Sequence, residues 1–405
     1  MPEKKYITEL GNWQGFKVGT VGRMTNSDNQ PEIWIELLPD ETHPMRCSGC
    51  GSHVPKVHDH CERWIDDLPA WGTATRLLVH LRRVRCPQCG PRMEYISWLE
   101  PYARITKRLA ESIARLCDML PIKQAAEFYG VAWHTAKRVH KHFIKERLGE
   151  VDLSDVKVIA LDEFAIQKGH RYATVVVEPQ TRRVLWVGRG RRREDIRPFF
   201  ELLGAQCKHI EAAVMDMWEA YEQEVRMHCK KAEIVYDLFH VCSKYGRDVI
   251  DRVRISEAKR LANTQQDHEV VKGGKWLLLR NKRNLRYQDR IRLQELLDAN
   301  KRLTITYILK DDLKHLWDYK YEGAALNFWK QWYSRAMRSR IEPLKEFARK
   351  MNERLYGILS HCRHPFNTSV LEGINNKIKV IKRMAYGFRD DEYFFLRIRH
   401  AFPGK

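Results

Sequence analysis

No stretch of the sequence approaches the roughly 18 uninterrupted apolar residues of a membrane-spanning helix, so a membrane-embedded function is not expected. The opening Met1-Pro2-Glu3-Lys4-Lys5 lacks the apolar segment of a secretory signal, which points to a cytoplasmic protein. Acidic residues are scarce beside basic ones, 52 Asp and Glu to 72 Lys and Arg, for a formal net charge of +20. The surplus is spread along the whole chain and is not confined to a tail. A folded protein this lopsided is expected to lie against a polyanion, and nucleic acid is the partner it suggests. Nor do the cysteines suggest a disulfide framework: of ten, four fall in two CxxC pairs. That pattern fits a reduced compartment and a bound metal. With 405 residues and 43% apolar content, the chain can build two to four domains with real cores.

The metal reading is specific. Cys47-Ser48-Gly49-Cys50-Gly51 and Cys86-Pro87-Gln88-Cys89-Gly90 supply four thiolates, and their glycines free backbone N–H groups to turn towards sulfur. Cys47, Cys50, Cys86 and Cys89 are the expected ligands of a tetrahedral structural zinc ion. A redox CxxC pair is the competing use of this spacing. His58, His60 and Cys61 lie between the pairs and read as loop residues near the metal. Residues 73–85 alternate apolar and basic residues towards their end, predicting a hairpin strand with a cationic outer face. Alternation around Ile33-Trp34-Ile35 predicts one or two further strands. Zinc would hold together a module too small to bury a core alone.

From residue 104 the apolar period becomes helical. Residues 106–119 place Leu109, Ile113 and Leu116 on one stripe, and Pro121 suits the first turn of a short helix that Gly130 closes. A third helix, 133–148, carries Thr135, Lys137, Arg138, Lys141 and Lys145. A short helix, a glycine turn and a longer basic helix form the pattern of a helix-turn-helix. A three-helix linker with a solvated basic face is the bland reading. Thr135, Lys137, Arg138 and Lys141 are the expected DNA contacts.

The chain then turns to strands. Val156-Lys157-Val158-Ile159-Ala160-Leu161 is a β-branched run ending in Asp162 and Glu163, as a buried central strand would. Residues 171–177 and 183–187 flank Pro179-Gln180-Thr181 and read as a hairpin. A helix over 192–203, a strand over 210–215, a helix over 218–230 and a strand over 232–236 follow. Three strands, helix, strand, helix, strand is the order of a ribonuclease-H-like core. Its first and fourth strands lie parallel, which would bring Asp162 and Asp216 together at their carboxyl ends. After His240 the pattern is helical for more than a hundred residues, with charge runs such as Arg280-Asn281-Lys282-Arg283, and reads as a helical insertion. The core resumes at Asn367-Thr368-Ser369-Val370-Leu371-Glu372. On that helix Leu371, Ile374, Ile378 and Ile381 form a buried stripe, while Glu372, Asn376, Lys379 and Arg383 share a neighbouring face.

Phosphodiester cleavage needs an activated oxygen and charge neutralisation, which two divalent ions roughly 3.5–4 Å apart supply to carboxylate ligands. Asp162, Asp216 and Glu372 are the expected set. Each has a rival: Glu163 beside Asp162, a helix capping box for Asp216 with Glu219, and a plain surface role for Glu372.

Taken together, the paired knuckles, Ala160-Leu161-Asp162-Glu163-Phe164, Val214-Met215-Asp216-Met217-Trp218, Asp237-Leu238-Phe239-His240, Glu372-Gly373-Ile374-Asn375-Asn376-Lys377-Ile378-Lys379 and Arg383-Met384-Ala385-Tyr386-Gly387-Phe388-Arg389 resemble a bacterial insertion-sequence transposase of the DDE class, closely the ISL3 family. The resemblance covers nearly the whole chain. It implies that Asp162, Asp216 and Glu372 are the DDE triad binding two Mg²⁺ ions, with Mn²⁺ as an alternative. The implied fold is an α/β ribonuclease-H-like core interrupted by an all-helical insertion and preceded by a zinc ribbon and a helix-turn-helix. The segments would be 1–98, 104–148, 154–240, 241–360 and 361–405. Asp237 and His240 resemble a C/DxxH motif packing near the site, and Lys379 and Arg383 would contact DNA. The implied activity is binding of terminal inverted repeats, cleavage exposing a 3′-hydroxyl and its transfer to target duplex DNA. A homo-oligomer, at least a dimer, in the bacterial cytoplasm at the nucleoid is expected. A non-catalytic repressor and a non-joining nuclease are the competing functions.

Overall fold

Two five-stranded sheets organise the chain, one in each of two units. The computed structural model describes residues 2–26, 29–167, 169, 171–261, 271, 273–280, 284–366 and 369–404. Asn281, Lys282 and Arg283 of the charge run, and Asn367 and Thr368 at the head of the returning stretch, lie outside the described residues. One unit comprises Met1–Gly149 with Met384–Tyr386, the other Glu150–Arg383 with Gly387–Lys405.

The first unit opens with helix α1 (Pro2–Gly11), which alternation did not signal, and strands β1 (Phe16–Thr25) and β2 (Pro31–Pro39). A long hairpin follows, β3 (Val57–Ala70) and β4 (Thr73–Cys86), then the short β5 (Gly90–Met93). Trp71 and Gly72 at the hairpin tip both have positive φ, 50° and 74°, the twist a two-residue turn requires. β4 is the centre of the sheet, paired with β2, β3 and β5. Its inward residues Leu77, Val79 and Leu81 pack with Ile35, Leu37 and Ile65.

The expected cationic outer face of β4 is not what forms. Arg82 is buried, and its Nε and Nη2 donate to Glu94 Oε2 at 2.9 and 2.7 Å. Arg83 pairs with Asp59 at 2.8 Å and Arg76 with Asp66 at 3.2 Å. These positive charges are neutralised within the sheet. Glu94→Ala would leave a buried guanidinium alone, at an expected cost of about 3–5 kcal/mol in urea unfolding. Adding Arg82→Met should recover most of that loss.

Three helices complete the unit: α2 (Lys107–Met119), α3 (Ile122–Phe128) and α4 (Trp133–Leu148). Thr106 caps α2 by accepting the N–H of Leu109, and Leu109, Ile113, Ala125, Ala126 and Ala136 form the small core. Gly130 turns between α3 and α4 at φ 64°. Buried Asp67 ties the helices to the sheet: it accepts from Trp13 Nε1 at 3.1 Å, Thr106 Oγ1 at 2.6 Å and Arg108 Nε at 2.7 Å.

In the second unit, β6 (Val158–Gln167), β7 (Arg171–Glu178) and β8 (Arg183–Arg189) form an antiparallel meander. Helix α5 (Arg193–Leu203), β9 (Ala212–Met215), α6 (Glu219–His228) and β10 (Glu233–Tyr236) follow, in the predicted order and within two residues of the predicted bounds. The sheet order is β10-β9-β6-β7-β8, with β6, β9 and β10 mutually parallel. Leu161 stands opposite Met215 in that register, so Asp162 and Asp216 are the next residues along both strands.

Strand alternation divides the core. Ile159, Leu161, Ala213 and Met215 pack against α5 and α6 through Phe199, Phe200, Tyr221 and Val225. Val158, Ala160, Ala212 and Val214 pack on the other face. From Leu238 to Cys362 every described element is helical: α7 (Leu238–Tyr245), α8 (Arg252–Arg260), α9 (Lys275–Leu279), α10 (Tyr287–Ala299), α11 (Lys301–Lys314), α12 (Glu322–Arg338), α13 (Glu342–Glu353) and α14 (Leu355–Leu359), with short 3₁₀ and π turns. Helices α15 (Ser369–Met384) and α16 (Asp391–Ala401) then cover the second face, with Leu371, Ile374, Ile378, Phe394 and Ile398 buried against it.

Candidate active site and metal centre

The same alternation decides which carboxylates can meet. Asp162 follows Val158 and Ala160, and Asp216 follows Ala212 and Val214, so both side chains belong to the α15 face. Glu163 belongs to the opposite face, where its Oε1 accepts from Arg191 Nη1 at 2.8 Å. That pairing turns Glu163 away from the face that Asp162 shares with α15. The capping rival for Asp216 falls away. Helix α6 starts at Glu219 with Trp218 at its cap position, and Asp216 Oδ1 accepts the N–H of Met217 at 2.6 Å.

Asp162 is buried, and both its oxygens are engaged. Oδ1 accepts the N–H of Glu163 at 2.7 Å, and Oδ2 accepts Asn375 Nδ2 at 2.6 Å. Burial is the main cause that pushes its carboxyl up to about 6; the nearby His240 pulls the other way. Asp237 accepts the N–H of Phe239 at 2.7 Å and so caps α7. Burial raises its carboxyl too, with the charges of Asp216 and Glu372 adding to the rise.

His240, one turn into α7, spans the pair. Its Nε2 lies 3.7 Å from Asp162 Oδ1, and its Nδ1 lies 3.5 Å from Asp216 Oδ2. The Asp237–His240 motif is thus in the site itself. Glu372 is exposed on the first turn of α15, and its charge reaches Asp237. Three aspartates, Asp162, Asp216 and Asp237, lie within 4.0 Å of the one imidazole, a surplus of negative charge that a hard cation suits.

Three neighbours were not read from the sequence. Asn375, three residues after Glu372, touches Asp162, whereas Asn376 pairs with Lys379 at 3.4 Å on the exposed side. The signal was the i+3 spacing, which shares the face of Glu372 as well as i+4 does. Arg191 lies between the rings of Tyr172 and Trp218, 4.4 and 4.5 Å from their centroids, and braces the turn after Asp216. Lys244, one turn beyond His240, has its ammonium pKa lowered by burial, with Arg354 and Arg247 lowering it further and Asp216 opposing. Arg383 is exposed on α15, as is Lys379.

In the first unit the Sγ atoms of Cys47, Cys50, Cys86 and Cys89 all lie within 4.8 Å of one another. Among the described residues this is the one such convergence of three or more His, Cys, Asp or Glu ligand atoms. His58, His60 and Cys61 are outside it, on β3. All ten cysteines are free, and the N–H of Gly49 points at Cys47 Sγ from 3.3 Å. A Cβ on Gly49 would stand 3.2 Å from Cys89 Sγ, a tight contact that the thiol would have to yield to by a few tenths of an ångström. Cys50 is pulled down to about 6, first by its hydrogen bond with Ser52, while Cys89 is pushed up to about 12 by its bond with Cys50 and by burial. Four converging thiols are a donor set for a tetrahedral ion of borderline softness.

On α4, Arg138 and Lys145 are exposed, while Thr135, Lys137 and Lys141 are half-buried. Lys137 lies over the ring of exposed Trp133, 5.5 Å from its centroid. The described residues contain no helix long and apolar enough to cross a membrane.

A family model for transposases of the ISL3 type matches residues 159–398. Models for the helix-turn-helix domain of transposase family ISL3 and for the zinc finger of the IS204/IS1001/IS1096/IS1165 transposases match residues 94–144 and 43–89. The chain is 46% identical to the transposase for insertion sequence element IS1001 of Bordetella parapertussis, across 100% of this chain and 99% of that one. It is 27% identical to the transposase for IS1557 of Mycobacterium tuberculosis, across 80% of this chain and 78% of that one.

Proposed function

The chain belongs to the ISL3 family of DDE transposases, with zinc ribbon, helix-turn-helix and transposase domain in that order, and we propose that it cuts and joins DNA at the ends of an insertion sequence using Asp162, Asp216 and Glu372. The observation that carries the residue assignment is the shared face of Asp162 and Asp216 at adjacent parallel strand ends, spanned by His240. Helix α15, which bears Glu372, packs on that same face.

The sheet order and the two covering layers support a ribonuclease-H-like core, first part 154–240, closed by 361–405, with 241–360 as a helical insertion. Residues 1–98 and 104–148 are the end-reading modules. Within them Thr135, Lys137, Arg138 and Lys141 of α4 face DNA. Cys47, Cys50, Cys86 and Cys89 hold a structural zinc ion, an assignment their convergence supports.

The acidic site suits Mg²⁺, or Mn²⁺ in its place. Its donors are hard oxygens, and among the described residues the buried Oδ1 of Asn375 has no hydrogen-bond partner of its own. Bound there, divalent ions would activate the attacking oxygen and neutralise charge on the phosphate. Asp162 is fixed for this by two N–H donors, and His240 orients both aspartates. Lys379 and Arg383 reach along the same helix towards the DNA backbone. The function also calls for two element ends at once, hence at least a dimer, acting at the nucleoid.

Because burial raises Asp162 to about 6, its proton competes with any cation. Below that value the native carboxyl holds a proton which the unfolded chain has released, down to the ordinary carboxylate range. Metal-free stability therefore falls as pH rises through that window and levels off above about 6. Cation affinity runs the other way, weakening up to about tenfold per pH unit below about 6. Mn²⁺ titrations of the full chain at several pH values check this.

The function is tested with the full-length protein, Mg²⁺ and a labelled duplex carrying the element's own end. Nicks at the element boundary together with joined products are expected. Specific binding with neither would favour a repressor, and cutting without joining a nuclease.

A further inference from the structure

The amide of Asn375 can be oriented from its surroundings. Its neighbour is a carboxylate oxygen, Asp162 Oδ2, 2.6 Å from Nδ2. Reversing the amide would set two acceptors against each other, so the nitrogen faces Asp162 and the oxygen faces away from it. That oxygen, Oδ1, is buried and accepts no hydrogen bond among the described residues. A buried carbonyl oxygen without a donor is costly, and such an atom calls for an ion or water that completes it.

The surroundings choose between these. Asn375 is one helical turn from Glu372 on α15. Asp162, held by its N–H, is one short step from His240 and Asp216. Asp237 feels the charges of both Asp216 and Glu372, so the negative charge converges here. Amide carbonyl oxygens are ordinary ligands for hard divalent cations, alongside carboxylates.

Building on the functional reading above, we propose that Asn375 is a fourth oxygen ligand of the catalytic cation: its N–H holds Asp162 and its Oδ1 binds the metal. A side chain on the Glu372 helix then meets a residue of the central strand through one amide. It joins the two halves of the core that the long helical segment separates in sequence. Asn376, its neighbour, is exposed and accepts from Lys379 on the outer side of the helix, away from Asp162.

The test is Mn²⁺ binding to the zinc-loaded full-length protein, read by electron paramagnetic resonance at neutral pH. Asn375→Ala should weaken binding by at least about tenfold, the scale for losing a ligand or its supporting contact. Asn375→Asp keeps an oxygen of the same reach but loses the N–H to Asp162 and sets two carboxylates together, a repulsion the bound cation offsets, so it should lose clearly less affinity than Asn375→Ala. Asn376→Ala should bind as the wild type does. Wild-type affinity in Asn375→Ala overturns the proposal. Equal losses in Asn375→Ala and Asn375→Asp overturn it too, since Asn375 would then act only by orienting Asp162. If Asn375→Ala does not fold, which its thermal unfolding would reveal, the isosteric Asn375→Asp decides: a loss of about tenfold or more overturns the proposal. Failure of the functional reading looks different: wild-type Mn²⁺ binding would then be absent, or unchanged by Asp162→Ala.

Discussion

Asp162→Ala is expected to lower cleavage at the element ends by more than about 10³-fold while leaving end binding within about twofold. The size follows from the site. Metal-borne charge stabilisation is worth several kcal/mol, and each 1.4 kcal/mol or so is a factor of ten in rate. The selectivity follows from the fold. Asp162 lies on the central strand beneath α15, while the modules assigned to end reading are Met1–Gly149. The variant should not be a folding mutant either. In the metal-free protein the relief of burying a carboxylate offsets the loss of the hydrogen bonds from Glu163 and Asn375, so the unfolding midpoint should shift little. Single-turnover cleavage, gel-shift binding and thermal unfolding of the same preparation check all three. Cleavage at the wild-type rate would remove Asp162 from the site.

Cys86→Ser should have the second large effect, and of the opposite kind. Structural zinc contributes about 10–16 kcal/mol of apparent binding free energy in small modules, and that energy is folding energy. Cys86 ends β4, the strand at the middle of the first sheet, and its Sγ is 3.6 Å from that of Cys50. Without it the knuckles of β4–β5 and residues 47–51 have only a small cluster, Val54 and Val84 with the cysteines themselves, to hold them. The variant is expected to purify with less than one zinc per chain and to lose end binding by more than about 100-fold, as the module unfolds. Cys61→Ser is the control: Cys61 is outside the cluster and should keep both zinc and binding. Full zinc in Cys86→Ser would contradict the assignment.

Much of this was legible in the sequence because the signals were periodic or local. The runs Val158–Leu161 and Ala212–Met215 are apolar and too short for helices, and each is followed directly by an aspartate. The glycine-bearing knuckles specify their own turns. What escaped was decided by packing. Arg82 reads as solvent-facing from its neighbours, yet it is buried because Glu94, twelve residues later, neutralises it. Helix α1 has only a weak apolar stripe to announce it. The amphipathic face of α15 was placed correctly through Leu371, Ile374 and Ile378, but Asn375 against Asn376 is a choice that only the partner strand can make. Likewise the distance from Asp237 to His240 is local, but that His240 reaches two strands is a property of the sheet.

The assignment of three carboxylates rests most heavily on Glu372, which is exposed and joined to the others through the charge on Asp237. The most direct measurement is therefore cleavage of an end-bearing duplex by Glu372→Gln beside Glu163→Gln, at matched protein and Mg²⁺. If Asp162, Asp216 and Glu372 carry the chemistry, Glu372→Gln loses cleavage by at least about 10³-fold. Glu163→Gln, whose partner is Arg191 on the other face, keeps it within a few-fold. The reverse, activity in Glu372→Gln and loss in Glu163→Gln, would contradict the site as described.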